Sequence, residues 1–325
     1  MKHLSSRAVD VLRNAPMIPI LIIVVAYFSF TIDGFLSPFS MQNLLRDASV
    51  LIVAGIGGML VFLVSGLDLS VGSTVAGASV GAAIAAQSTG SLFVAVLAGL
   101  AIGLVVGVVN GLLVGYAKLV AFILTLGMLL IVKALAYLAA ALVAGEGGTA
   151  GAVAMPPEAT VFGRGVTFGI PNVFYAAAAV VIVIAIVLAR TRYGRQLRLI
   201  GQNEEAARFN GVDVRFIKLT VYSLAGLLSG LAGVLLAFRL GSGSPAAGDA
   251  LLLQVITAVI IGGTTLTGGH GGAFRTLFGA LVIIAIDKGL SAMGLQFWDQ
   301  QIALGIVILL GTQVTRFWNA KRRLA

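Results

Sequence analysis

"SLFVAVLAGLAIGLVVGVVNGLLVG" (residues 91–115) runs from one end to the other without a charged side chain. A helix needs roughly 20 predominantly apolar residues to cross about 30 Å of hydrocarbon, so this run is long enough to span a bilayer by itself. Runs of similar character recur at about 16–31, 44–65, 71–88, 119–143, 172–190, 217–238, 251–266, 273–290 and 300–317. The chain has 325 residues, 59% hydrophobic and only 10% charged, and runs of this length in this number are more than a buried soluble core accounts for. The fold class that follows is an all-α polytopic membrane protein with about ten transmembrane helices. A β-barrel would show short segments of alternating polarity, and the sequence has none. The 42 glycines suit the same solvent, because small residues let spanning helices approach closely.

Charge sets the expected topology. Lys2, Arg7 and Arg13 place the N-terminus in the cytoplasm by the excess of basic residues in inner loops. Counting crossings from there puts Lys118, the segment Arg190 to Lys218, Arg275 and the tail "KRRLA" on the same side. The expected outer loops are poor in base: "TIDGFLSPFSMQN" (31–43) has none, 144–171 has only Arg164, and 239–250 has only Arg239. The net charge of +9 therefore belongs to inner loops and not to a nucleic-acid surface. No small-x-small cleavage site follows the first apolar run, which reads as a retained span. Residues 1–325 form one transmembrane domain on this reading, with a cytoplasmic loop at about 191–216 and an outer loop at about 144–171.

Chemistry is absent from the motif inventory. There is no cysteine, which excludes disulfides and thiolate chemistry, and His3 and His270 are too few for a zinc cluster. No G-x-x-x-x-G-K-[ST] loop, G-x-S-x-G elbow or H-E-x-x-H helix occurs. The chain is not expected to be an enzyme or to carry a cofactor or metal, and any ATPase that drives it must be another chain.

The exception to the apolar character is "RTRYGRQLRLIGQNEEAARFNGVDVRFIK" (190–218), which holds seven of the 21 basic residues and three of the 12 acids. Within it, "NEEAARFNGV" (203–212) reads as a short helix. Asn203 is its cap, Glu204 and Glu205 complement its positive end, Ala206, Ala207 and Arg208 continue it, and Gly211 stops it. Such a helix either rests on anionic headgroups or fits a groove on a cytoplasmic motor subunit.

Other polar residues stand near or within the spans. "SGLDLSVGS" (65–73) offers Asp68 and Ser70, either as caps of the third span or as a gate, and "IGGTTLTGGHGG" (261–272), with Thr264, permits the same two readings. Both run from a glycine-rich turn into a small-residue helix, which suggests two pseudo-repeated halves. Lys133 lies well inside the fifth span, at a cost of about 2.5–3.5 kcal/mol on insertion scales. It reads as half of an ion pair, with Asp287 as the candidate partner, or as a pore-lining charge. Asn110, Thr125, Gln254 and Thr257 are further candidates for a solute path, or else helix–helix hydrogen bonds.

"SGLDLSVGS", "NGLLVGYAKLVAFILTLGML", "GQNEEAARFNGV", "YSLAGLLSGLAGVLLAFRLGSGSPAAG" and "AVIIGGTTLTGGHGGAFRTLFGALV" occur in that order. With these motifs the chain resembles, from about residue 16 to 318, the permease subunits of ABC importers for monosaccharides of the ribose/xylose/arabinose/galactose type. The resemblance implies a type II importer fold in the bacterial inner membrane. It also implies a second permease copy, cytoplasmic ATPase subunits and a periplasmic or extracellular sugar-binding protein. On it, Asn203 to Gly211 is the ATPase-coupling helix. Three departures stand out: Ser65 where the family has glycine, Val120 where it has proline, and Leu252-Leu253-Gln254 where it has Glu-Leu-Asp. Related permeases carry branched-chain amino acids, which is the alternative substrate class. An ion-coupled secondary transporter is the other alternative, against which stands the scarcity of ionisable groups well inside the spans, Lys133 and Asp287 alone.

Overall fold

A computed structural model of the chain describes residues 17–144, 151–296, 298–303, 305–306 and 309. Its helices are α1 (Met17–Thr31), α2 (Pro38–Leu63), α3 (Val71–Thr89), α4 (Leu92–Gly115), α5 (Ala121–Ala144), α6 (Pro157–Arg164), α7 (Asn172–Arg190), α8 (Arg192–Gln202), α9 (Glu204–Phe209), α10 (Val214–Leu240), α11 (Leu251–Ile261) and α12 (Ala273–Ala292). Four two-residue strands join them in pairs. β1 (Val153–Ala154) pairs antiparallel with β4 (Ser242–Gly243), and β2 (Val166–Thr167) with β3 (Ile170–Pro171).

The helix limits follow local chemistry. Ser37 accepts from Ser40 N at 3.3 Å in front of Pro38, a residue whose missing N–H costs nothing at a first turn. Ser91 caps α4 through Val94 N, and Asp213 caps α10 through Phe216 N at 3.1 Å. Gly90 and Gly241 end α3 and α10 in the left-handed conformation.

Among the described residues, α2, α4, α5, α7 and α10 are long and apolar enough to cross a membrane. Helices α2 and α10 are buried along most of their length, whereas α4, α5 and α7 turn rows of leucine, isoleucine and valine outward. Outward apolar rows on spanning helices belong against hydrocarbon or another protein. Helix α3 is long enough but rich in Gly, Ala, Ser and Thr, and most of it lies inside the bundle, where packing rather than lipid solvation holds it. The tenth apolar run lies mostly outside the described residues, as do the N-terminal bases and the "KRRLA" tail.

The run at 251–266 is shorter in the fold than in the sequence. Helix α11 stops at Ile261, because Gly263 adopts φ +85 and the chain folds back through Gly263 N to Ile260 O and Thr264 N to Val259 O. Residues 262–272 form a non-helical turn instead.

At the end of the bundle where α2 begins and α10 and α12 finish, Asp47 accepts from Arg239 Nη2 at 2.5 Å and from Lys288 Nζ. These groups line a cavity of about 630 Å³ together with Arg46 and Arg164, whose guanidiniums bond backbone carbonyls of 164, 239 and 240. Asp287, next to Lys288 in sequence, feels the charges of Lys288, Asp47 and Arg239. Replacing Asp47 with asparagine leaves two cations without their shared carboxylate. Because Arg239 and Lys288 keep some solvent access, the expected loss is about 1–3 kcal/mol, below that for a fully buried pair. A lowered melting temperature in detergent checks it.

Candidate functional site

The charged segment folds into two helices. Thr191 caps α8 by accepting from Gly194 N at 3.2 Å, and α8 turns Leu197 and Ile200 inward and Arg192 and Arg195 outward. Asn203 caps α9 by accepting from Ala206 N at 2.9 Å, and Gly211 closes it at φ +76, with its N–H on Arg208 O. Ala207 is buried, while Phe209 is 84% exposed. Glu204 turns back onto the molecule. Its two carboxylate oxygens accept from Arg208 at 2.5 Å and from Lys218 of α10 at 2.7 Å. Burial alone would raise its carboxyl, but the hydrogen bond and charge of Lys218 and then those of Arg208 outweigh this and hold it below the ordinary 4.5. A depressed carboxyl stabilises the fold fully above that ordinary value and loses the contribution as pH falls through the lower folded one. The tie between α9 and α10 is therefore complete at neutral pH.

The C-terminal end of α8 is wedged between the two glycine-rich turns. Ser65 Oγ donates to Thr267 O at 2.8 Å, with Gly201 O at 3.2 Å, and Gly269 N donates to Leu63 O at 3.0 Å. A side chain on Gly201 would collide with this backbone. Ser65 has φ +57, the region where glycine is at ease, and its single hydroxyl proton has the Thr267 and Gly201 carbonyls within reach.

Behind Ser65 lies a buried polar cluster. Asp68 Oδ1 accepts from Ser70 N at 2.8 Å and Ser70 Oγ at 2.6 Å. Asn110 Nδ2 donates to Ser70 Oγ at 3.0 Å, and Thr125 Oγ1 accepts from Leu69 N at 3.1 Å. Tyr222 Oη donates to Leu67 O at 3.2 Å. The structure corrects the expected cap: neither Asp68 nor Ser70 bonds the free N–H groups of α3 through its side chain. Asp68 instead grips Ser70, whose carbonyl takes Thr74 N and the hydroxyls of Ser73 and Thr74. The fold thus brings Asp68, Ser70, Asn110 and Thr125 together. Asn110 Oδ1 and Thr264 Oγ1 are buried with no hydrogen-bond partner among the described residues.

Lys133 does not meet Asp287. Its Nζ lies 2.6 Å from Asp249 Oδ1, because the turn before α11 folds down beside α3 and reaches α5, whereas Asp287 lies on α12. Thr257 spends its hydroxyl on Leu253 O of its own helix at 2.6 Å, and Gln254 is half-buried beside it. Sequence reasoning missed Lys218, Tyr222 and Asp249. For Asp249 a signal existed, since it is the only acid in 239–250. Among the described residues, no group of three or more His, Cys, Asp or Glu converges as a metal site would.

A family described as "branched-chain amino acid transport system / permease component" matches residues 40–311. The chain belongs to this permease family. Among its relatives, this permease is 36% identical to the ribose import permease protein of Escherichia coli (strain K12), over 90% of this chain and 91% of that one. It is 33% identical to the fructose import permease protein of Rhizobium meliloti, over 97% and 89%. It is 30% identical to the L-arabinose ABC transporter permease protein of Azospirillum brasilense, over 97% and 91%. No solved structure matches it. As a permease component with spanning-length apolar helices, it is a helical multi-pass membrane protein.

Proposed function

We propose that this chain is the transmembrane subunit of an ATP-driven ABC importer, forming the path for a monosaccharide or related small polyol. The observation that carries the reading is near full-length similarity to import permeases named for ribose, fructose and L-arabinose. These favour sugars over branched-chain amino acids, even though the family's description mentions the latter. ATP is hydrolysed by separate cytoplasmic ABC subunits, and a periplasmic or extracellular binding protein delivers the solute. A second permease copy, identical or paralogous, completes the path. The protein sits in a bacterial inner membrane with both termini cytoplasmic, and residues 1–325 act as one permease domain of about ten spans.

Helix α9, from Asn203 to Gly211, is the coupling helix in this scheme. Its tie to α10 and the wedge of α8 between the two glycine-rich turns would carry its movement to Asp68, Ser70, Asn110, Thr125 and Thr264, which serve as gate elements. Lys133, Gln254 and Thr257 belong to the solute path. The two turns, each leading into a small-residue helix (α3 and α12), support a layout of two related halves.

The test is reconstitution of the permease with its ABC ATPase and sugar-binding protein, in proteoliposomes. ATP-dependent uptake of ribose, fructose or L-arabinose is expected, with no uptake driven by an ion gradient alone. Uptake of leucine in their place would establish the branched-chain alternative, and gradient-driven uptake without ATP would establish a secondary transporter.

A further inference from the structure

Lys133 and Asp249 form an ion pair in a place that this chain leaves partly uncovered. Lys133 is the thirteenth residue of the 24-residue helix α5, about 18 Å from its start at helical rise, near the middle of the apolar core. Yet its side chain is 36% exposed and that of Asp249 54%. Charged groups at this depth face a bundle interior or water.

The backbone leads to the same place. After β4 the chain does not leave the bundle. Gly243 packs on the backbone at Ser79, and Gly248 packs on Gly72. Between those two positions of α3 lie about 10 Å at helical rise, so the turn 244–250 descends along α3 and α11 starts well below its end. Irregular backbone at membrane depth is tolerated where it is buried in protein or lines a water-filled cavity. The glycine side of this turn is buried against α3, and the Asp249 side is open.

The open pair also has a chemistry. It is neutral overall, with ammonium donors and carboxylate acceptors next to each other, and every hydroxyl of a polyol is both donor and acceptor. Tyr137, one turn beyond Lys133 on α5, adds a half-buried ring. We infer that Lys133 and Asp249 stand in the water-filled solute path and hold the hydroxyls of a neutral polyol as it passes the membrane midplane. The inference rests on the importer reading above. It also restores a carboxylate near the place where Leu252-Leu253-Gln254 replaces the family's acidic residues.

The chain contains no cysteine, so single cysteines report water access cleanly. In proteoliposomes holding the whole transporter, Lys133→Cys and Asp249→Cys are expected to react with a charged methanethiosulfonate reagent about tenfold or more faster than Ile131→Cys, because only a hydrated thiol ionises readily. Ile131 is exposed on the opposite side of α5. The transported sugar is expected to slow the reaction. Lys133→Met combined with Asp249→Asn is expected to keep the melting temperature but lose at least about tenfold in uptake. The exchange Lys133→Asp with Asp249→Lys should restore the pair without restoring the rate. Unreactive cysteines mean that a second subunit covers the pair and overturn the inference. So does wild-type uptake by the neutral double variant, or an exchange that recovers stability and uptake together, which would mark a brace. An unmutated complex that takes up no monosaccharide or polyol when ATP is supplied removes the importer reading, and this inference with it. Wild-type uptake alongside any of the preceding results removes the inference alone.

Discussion

Valine in place of Gly226 is expected to leave almost no folded permease. Helix α4 carries glycines at 99, 103, 107, 111 and 115, one every four residues and so along one stripe of the helix. Helix α10 answers with Gly226 and Gly230, and the two backbones touch. A Cβ on Gly226 would lie 2.6 Å from Gly107 Cα and 2.7 Å from its nitrogen, and would collide with the Gly103 carbonyl; one on Gly103 would lie 2.7 Å from Gly230 Cα. No side chain can rotate aside, because every obstructing atom is backbone. The helices must separate along the whole stripe, and in lipid such close packing is what joins them. Overpacking typically costs about 1–3 kcal/mol and occasionally more, and a rigid obstruction places this substitution at or beyond the upper limit. Gly127 of α5 is the control, since a Cβ there meets nothing within 4 Å, and Gly127→Ala should fold normally. Yield of monodisperse protein and its melting temperature decide the matter. A Gly226→Val protein as stable as the unmodified one would falsify the close-packed seam.

The apolar runs announced most of the helices because hydrocarbon imposes a length that the sequence must meet. Helix α7 occupies 172–190, the same residues as its run. The Asn203 cap was equally legible, since its partners lie within four residues. What the sequence left open depends on contacts between distant segments. Nothing local to Lys133 distinguishes Asp249 from Asp287; the choice is made by the descent of the 244–250 turn along α3, which itself needs Gly243 and Gly248 to fit against that helix. The early end of α11 escaped notice because "IIGGTTL" stays apolar enough to extend a hydropathy run while Gly263 turns the backbone. Asp68 looked like a cap because an acid shortly before a helix usually is one. Here α3 packs against α4, α5 and α10, and the carboxylate is committed to Ser70.

The largest effect on transport is expected from reversing Glu204 and Glu205 to lysine together, and the two carboxylates act for different reasons. Glu205 is exposed at the first turn of α9, where a cation opposes the positive helix end and alters the face offered to a partner. Glu204 faces inward, and a lysine there would stand against Arg208 and Lys218, turning an attraction between α9 and α10 into repulsion. The double variant should insert normally, since neither residue lies in a span, yet lose ATP-coupled uptake by about a hundredfold, the scale of about 2.8 kcal/mol at a coupling contact. Exchange of charges separates the two contributions. Glu204→Lys with Lys218→Glu rebuilds the tie to α10 and should recover much of the uptake if Glu204 works by fastening the helix. It should recover none if Glu204 itself touches the ATPase. Phe209, the most exposed aromatic of the segment, supplies the complementary measurement. An aromatic seated in a partner's pocket commonly carries about 2 kcal/mol or more of binding, so Phe209→Ala should weaken ATPase association roughly thirtyfold while leaving the permease's melting temperature unchanged. Normal ATPase association and normal uptake by both the Glu204/Glu205 variant and Phe209→Ala would mean that α9 is a headgroup-resting helix, and the motor would have to engage this subunit elsewhere.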